Sequence, residues 1–420
     1  MATPALTRRY DLDWIRVGAF ALLILYHVGM MYVSWDWHIK SSYRSELLEN
    51  FMLALNQWRL PLLFLVSGAA MFFILEKVSL KRFAALRSVR LLIPLVFVIF
   101  VVVLPQVYYE LKTKGYASLG WWEFVGRYYA FDQTLDTYIP TYNHMWFVAY
   151  LWIYSVLFIP LVLLSRKRPT WKAALSFDSK PEWFPIAFPV AVITLIYAVV
   201  RPFYPSTHTL AGDWFNHFLF FSALVFGYML AASHEVWPQL ARRRWIYLGL
   251  AALATAIILY LVNTLDAPLE FPSPGFFVTR PLLAVNIWLW ILAILGFGFV
   301  HLNVPSRALT YLTVAIFPFY ILHQTVIITI GYPLAQSRVF GPIGESLTII
   351  AGTLIICWAL YEFVIRRVSF LRPLFGLKLK SCDDRTAGRA RFNPFPESDE
   401  PCPASARIKT GKNWTSPFGF

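Results

Sequence analysis

An arginine and a histidine, Arg16 and His27, stand eleven residues apart in one apolar stretch that runs from Tyr10-Asp11-Leu12-Asp13-Trp14-Ile15-Arg16 to Leu25-Tyr26-His27. In a helix, eleven steps of 100° make three turns plus about 20°, so both side chains share a face roughly 16 Å apart. If Arg16 marks a membrane boundary, His27 falls near mid-membrane. Imidazole changes charge near neutral pH, so His27 can act as a general base toward a hydroxyl. The competing reading is a histidine satisfied by hydrogen bonds between helices. Asp13 is the expected i,i+3 partner of Arg16, and Arg16 also reads as a basic anchor at the inner boundary.

Arg87 and Arg90 stand three apart ahead of Pro94, on one helix face. Two guanidinium forks side by side suit phosphate groups, although basic residues also gather there for topological reasons. Arg59, in Asn56-Gln57-Trp58-Arg59-Leu60-Pro61, falls inside a second apolar run, where it can pair with a carboxylate or snorkel outward. His144, His217, His301 and His323 complete the ionisable residues in or near apolar runs. Such a group costs about 2.5–3.5 kcal/mol at the bilayer centre, which makes each one a functional hypothesis. Ser67-Gly68 reads more simply as a place where two helices approach closely.

The elements that must hold these residues follow from composition. Of 420 residues, 58% are hydrophobic and 14% charged, against roughly 45–50% and about 25% in a soluble domain. This excludes a disordered protein, a secreted disulfide scaffold and an ordinary soluble enzyme. Two of the three cysteines, Cys382 and Cys402, lie in a polar tail and Cys357 stands alone, so neither a disulfide framework nor a metal site is expected. A spanning helix needs ~20 mostly apolar residues. Runs at 17–34, 51–75, 91–109, 145–164, 185–200, 214–232, 245–263, 281–301, 309–330 and 346–364 meet that description, the fifth being short and flanked by proline. The runs are continuous rather than alternating, which excludes barrel strands. The expected fold is all-α: a polytopic membrane protein of about ten transmembrane helices.

The net charge of +14 divides unevenly among the loops. With the N-terminus cytoplasmic, 28 lysines and arginines fall on the inner side and 8 on the outer. That asymmetry puts both termini inside and reads the charge as topology, with the lipid bilayer and not nucleic acid as the partner. Residues 1–375 form the expected membrane domain. Residues 376–420, rich in Pro, Ser and charge, are expected to be a disordered cytoplasmic tail. The first run is long, no small-residue cleavage site follows it, and it is therefore a transmembrane helix rather than a signal peptide. The Asn413-Trp414-Thr415 sequon would face the cytoplasm and is discounted.

Five segments, in order, resemble those of the integral-membrane acyltransferase 3 family. They are the Arg16 to His27 helix, Leu60-Pro61-Leu62-Leu63-Phe64-Leu65-Val66-Ser67-Gly68, Arg87-Ser88-Val89-Arg90-Leu91-Leu92-Ile93-Pro94, His144-Met145-Trp146-Phe147 and Tyr320-Ile321-Leu322-His323. The resemblance covers roughly residues 8–365. It implies transfer of an acyl group from cytoplasmic acyl-CoA, acetyl-CoA or succinyl-CoA, to a hydroxyl of an extracytoplasmic saccharide or glucan, in a bacterial inner membrane. By the same resemblance His27 is the catalytic base and Arg16 its essential partner. Arg87 and Arg90 bind the CoA phosphates, while His144 and His323 handle acceptor or intermediate. Many members have histidine where this chain has Arg59. Arginine does not deprotonate in a protein, so a fixed charge there would orient a carboxylate, such as the free acid of a dicarboxylic acyl group in glucan succinyltransferase-type members. A transporter is the main alternative from a different class. It would be expected to show repeat symmetry and matching broken helices, and neither is evident in the sequence.

Overall fold

A computed structural model of the chain describes residues 8–178, 180–264 and 272–379. The polar tail from residue 380, with Cys382, Cys402 and Asn413, lies outside the described residues. Of the segment expected to form the tail, Leu377 is buried, next to Phe375.

The described residues form helices in the order α1 (Tyr10–Gly29), α2 (Glu46–Leu75), α3 (Leu80–Phe97), α4 (Leu104–Thr113), α5 (Trp121–Tyr129), α6 (Trp146–Lys167), α7 (Pro169–Ala174), α8 (Phe184–Leu195), α9 (Trp214–Ala231), α10 (Val236–Thr264), α11 (Pro274–His301), α12 (Arg307–Ser337), α13 (Pro342–Ala359) and α14 (Leu371–Leu374). Wider π-type turns extend α3 through Val98–Val102, α8 through Ile196–Val200 and α13 through Leu360–Ile365. Nine of these helices are long and apolar enough to cross a membrane. The fifth expected run appears as the shorter apolar helix Phe184–Val200. Serines start four of the long helices: Ser45, Ser79, Ser273 and Ser306 each accept a backbone N–H of the first turn. That satisfies one of the donors a helix start leaves open.

Two of the boundaries that differ from the apolar runs bear on the site, and they differ for electrostatic and steric reasons. The first helix begins at Tyr10, not near residue 17, because its polar first turns are neutralised locally. Arg9 pairs with Asp11 at 2.6 Å, Arg8 with Asp13 at 2.9 Å, and Arg16 with Asp13 at 3.1 Å. His27 is consequently within one turn of the C-terminal end of α1 rather than midway along the helix. The third helix begins at Leu80, so Arg87 and Arg90 lie well inside it instead of ahead of it. It ends before Pro105, whose ring suits the first turn of a new helix, α4.

Packing is densest where small residues let backbones meet. A Cβ on Gly68 of α2 would lie 1.9 Å from the Leu224 carbonyl oxygen of α9, and one on Gly227 would lie 1.8 Å from that of Leu65. Ser67 hydrogen-bonds back to the Leu63 carbonyl at 2.8 Å. The Ser67-Gly68 pair is therefore a helix-crossing device, as the packing reading holds. Helix α1 packs on α2, α11 and α12 together, which places its Arg16–His27 stripe inside the bundle.

Candidate active site

The site forms where α1 meets α12. His323 is fully buried, and its Nδ1 lies 2.6 Å from the Tyr320 carbonyl oxygen of its own helix. A carbonyl only accepts, so Nδ1 carries the hydrogen and, in the neutral ring, Nε2 carries the lone pair. That Nε2 lies 2.8 Å from His27 Nδ1. The planes are 10° apart with centroids at 5.0 Å. Because the nitrogens approach more closely than stacked faces can, the contact is an in-plane hydrogen bond. His27 Nδ1 must then be the donor, and His27 Nε2 keeps its lone pair. His27 is partly exposed, and its ring lies nearly parallel to that of Trp37, 6.4 Å away. Two neutral histidines in series thus fix one tautomer and leave His27 Nε2 as the basic nitrogen.

His144 approaches His323 edge to face at 5.3 Å. Both its nitrogens are engaged: Nε2–H donates to the Ile321 carbonyl at 3.1 Å, and Nδ1 accepts from Gln106 Nε2 at 3.4 Å. The Tyr320 hydroxyl donates to the His144 carbonyl oxygen. His144 is therefore held as a brace for the 320–323 turn and presents no free nitrogen.

Arg59 neither meets a carboxylate nor snorkels. It is 3% exposed, with Cζ 3.4 Å from the centroid of the Tyr26 ring. Its Nε and Nη1 have no hydrogen-bond partner among the described residues. A cation over an aromatic face gains roughly 2 kcal/mol when desolvated, which leaves the N–H groups of Nε and Nη1 open. From the 201–213 loop His208 reaches the same region, its ring 4.4 Å from that of Trp146. Burial lowers the His208 pKa, and nearby Arg59 acts the same way against the attraction of Asp213.

At the other end of α1, Arg16, Arg87 and Arg90 come close enough to repel one another. Arg16 and Arg87 are under 8% exposed. The Nε and Nη2 of Arg87 have no hydrogen-bond partner among the described residues. Buried guanidinium donors without an acceptor are costly, and phosphate oxygens match their geometry. Arg16, Arg87 and Arg90 therefore fit a phosphate-bearing ligand. His217 and His301 are not part of either cluster. His217 accepts from the Tyr154 hydroxyl at 3.0 Å and donates to the Leu210 carbonyl, while His301 ends α11 beside Phe297.

Gln106, His38 and Glu110, which the sequence did not single out, complete the surroundings together with Gln324, Lys40 and Lys114. Gln324 Nε2 lies 2.9 Å from His38 Nε2 and 3.1 Å from Gln106 Oε1. His38 Nδ1 pairs with Glu110, which also binds Lys114 at 2.6 Å. Burial raises the Glu110 pKa, but the His38 and Lys114 hydrogen bonds and charges outweigh it and hold the group at about 2. Lys40 closes the 30–45 loop over His27 by donating to the carbonyls of Met30, Val33 and Trp35. Gln106 stood in an expected span and could have been found by its polarity. His38 and Glu110 fell outside every apolar run and carried no such signal.

A family model described as an acyltransferase domain matches residues 9–362. The chain is similar to proteins named glucans biosynthesis protein C. Those of Salmonella heidelberg (strain SL476) and Salmonella enteritidis PT4 (strain P125109) are each 26% identical over 404 residues, 90% of this chain and 97% of the relative. That of Salmonella schwarzengrund (strain CVM19633) is 26% identical over 403 residues, with the same coverage. No solved structure matches.

Proposed function

The chain belongs to the acyltransferase 3 family, an integral multi-pass membrane acyltransferase, and from that premise we propose that it moves an acyl group from cytoplasmic acyl-CoA to a saccharide hydroxyl on the other side. The glucan-related names of its relatives support a glucan acceptor. The 28-to-8 distribution of basic residues supports cytoplasmic termini and a bacterial inner membrane as the location.

The observation that carries the reading is the ordered pair His27–His323. A saccharide hydroxyl is a weak nucleophile until its proton is taken. His27 Nε2 accepts that proton as the oxygen forms its bond to the thioester carbonyl carbon. The resulting imidazolium is held by its Nδ1–H bond to His323 Nε2. When the carbon–sulfur bond breaks, His27 returns the proton to the departing thiolate. No net proton is consumed, and no covalent acyl-enzyme is needed.

Positioning follows from α1. Arg16, with Arg87 and Arg90, would hold the CoA phosphates at one end, and the thioester would reach roughly 16 Å along the helix to His27. Arg59, with Nε and Nη1 unpartnered beside Tyr26, would hold the free carboxylate of a succinyl group. His144 then positions the His323 turn rather than touching substrate.

The test is transfer by purified protein from labelled succinyl-CoA and acetyl-CoA to a glucan. His27→Ala should lose about 10²–10⁴-fold in rate. Arg59→Gln should lose succinyl transfer while retaining acetyl transfer. An unchanged rate in His27→Ala would overturn the base assignment, and equal losses for both donors in Arg59→Gln would overturn the carboxylate contact.

A further inference from the structure

Gly18 sits in the middle of α1, and a Cβ added there would meet nothing within 4 Å. Glycine in a helix interior carries a stability cost relative to alanine. At Gly68 and Gly227 a crossing backbone accounts for that cost; at Gly18 no neighbouring helix does. Gly18 instead borders a groove of about 440 Å³ lined by residues of α1, α2, α10 and α11. Helix α1 packs on α2 and α11, and α10 packs on α11, so the groove runs between α1 and α10 with the other two as its floor. Trp58, Leu62, Leu248, Trp290 and Ala293 give it an apolar length.

One end is different. Trp14 in the second turn of α1 and His301 at the last residue of α11 both line it. The indole Nε1 of Trp14 is buried without a hydrogen-bond partner among the described residues. Arg244 lies over the Phe297 ring at 5.6 Å, and its Nε is likewise buried and unpartnered, although Nη1 donates to the Ala241 carbonyl. An unmade hydrogen bond from a buried donor is a standing cost to the fold. A ligand with one apolar chain and acceptor oxygens at its head would relieve that cost, and Arg244 favours a negative head.

We propose that this groove is a binding site for an anionic phospholipid, its acyl chain along Gly18 and its phosphodiester at Trp14, Arg244 and His301. The inference rests on the multi-pass membrane fold and not on the acyl-transfer chemistry. At 100° per residue Gly18 lies about 160° round α1 from Arg16 and about 180° from His27. The lipid would thus back the helix whose opposite face carries those two residues.

Native mass spectrometry of the purified protein, reconstituted with phosphatidylglycerol or with phosphatidylcholine, tests this. The expected result is one retained phosphatidylglycerol, preferred about tenfold over phosphatidylcholine. Gly18→Phe, which fills the groove, and Arg244→Gln, which removes the charge, should each reduce retention about tenfold. Circular dichroism and thermal unfolding check the fold, and if Gly18→Phe fails to fold, Arg244→Gln decides. Equal retention of the two lipids, or unchanged retention in the folded variants, overturns the proposal. So does displacement of the lipid one for one by a long-chain acyl-CoA, which would assign the groove to the donor.

Discussion

Replacing His323 by leucine tests the proposed mechanism at its least obvious point, because in that mechanism His323 acts only through His27. In the folded protein its Nε2 lies 2.8 Å from His27 Nδ1 and its Nδ1 is anchored on the Tyr320 carbonyl. Leucine removes the acceptor that a protonated His27 requires. A hydrogen bond to a charged group contributes about 1.5–3 kcal/mol, and each 1.36 kcal/mol in the barrier is about tenfold in rate. The loss falls in the step where His27 carries the proton, so kcat should drop about 10–150-fold. The KM for acyl-CoA should stay within about twofold, because ground-state binding does not use this bond. His323→Gln supplies a side-chain oxygen that can accept from His27 Nδ1–H and should recover most of the rate. The assay is steady-state transfer of a labelled acyl group to glucan by purified protein whose thermal unfolding is measured in parallel. A folded His323→Leu protein with unchanged kcat would refute the relay. A His323→Gln protein as slow as the leucine variant would show that His323 acts by shape and not as an acceptor.

Three further outcomes follow from the geometry. Arg87→Gln should raise the KM for acyl-CoA about 10–100-fold with kcat nearly kept, and should weaken inhibition by free CoA, because it removes a charge-assisted contact to phosphate; titration with CoA checks it. Gly68→Ala should lower stability by about 1–3 kcal/mol or more, since its Cβ would fall 1.9 Å from the Leu224 carbonyl oxygen; thermal unfolding in detergent reads this, and Gly18→Ala, where the added Cβ meets nothing, is the control. Glu110 is held at about 2, below its ordinary 4.5, so its stabilisation is full above pH ~4.5 and is lost as pH falls toward ~2. Glu110→Gln should therefore unfold earlier than the parent at pH 6, by on the order of 3 kcal/mol, and the difference should narrow on acidification; parallel curves would remove the His38–Glu110–Lys114 cluster from the stability argument.

Much of the fold was legible because hydrocarbon tolerates few alternatives. A backbone without water must satisfy itself in helices, so length and apolarity alone located the spanning elements. Their ends were less legible. Hydropathy averaging hides the first turns of α1 and α3, whose polar residues are compensated by partners: Asp11 by Arg9 locally, and Trp152 Nε1–H reaching Ser88 from another helix. The candidate site was legible where cost exposes it. His27, Arg59, His144 and His323 stand out as ionisable groups in apolar runs. Which of them touch, and through which nitrogen, depends on two carbonyls, those of Tyr320 and Ile321, and every residue carries a carbonyl. His38 and Glu110 stayed hidden because both lie just outside the apolar runs, where a polar residue is ordinary and gives no signal.

The two ends of α1 solve different electrostatic problems, and the division bears on mechanism. Near Asp11 and Asp13 the helix gathers arginines, and local carboxylates answer Arg8, Arg9 and Arg16. Arg87, buried beside them, has Nε and Nη2 with no protein acceptor among the described residues, so the proposed CoA phosphates would supply what the fold lacks. At the His27 end, the ordered hydrogen bonds run from neutral donor to neutral acceptor, His27 to His323 to the Tyr320 carbonyl. A relay of that kind carries no charge until a proton arrives. A base kept neutral beside Arg59 is the state in which it can take a proton from a hydroxyl. An imidazolium formed there stands near a fixed positive charge and gains by giving its proton up, here to the thiolate that leaves. The same arginine that could hold a carboxylate would then also favour proton return. Arg59→Gln should therefore cost succinyl transfer, which loses the carboxylate contact as well as this push, far more than acetyl transfer, with the two labelled donors compared side by side.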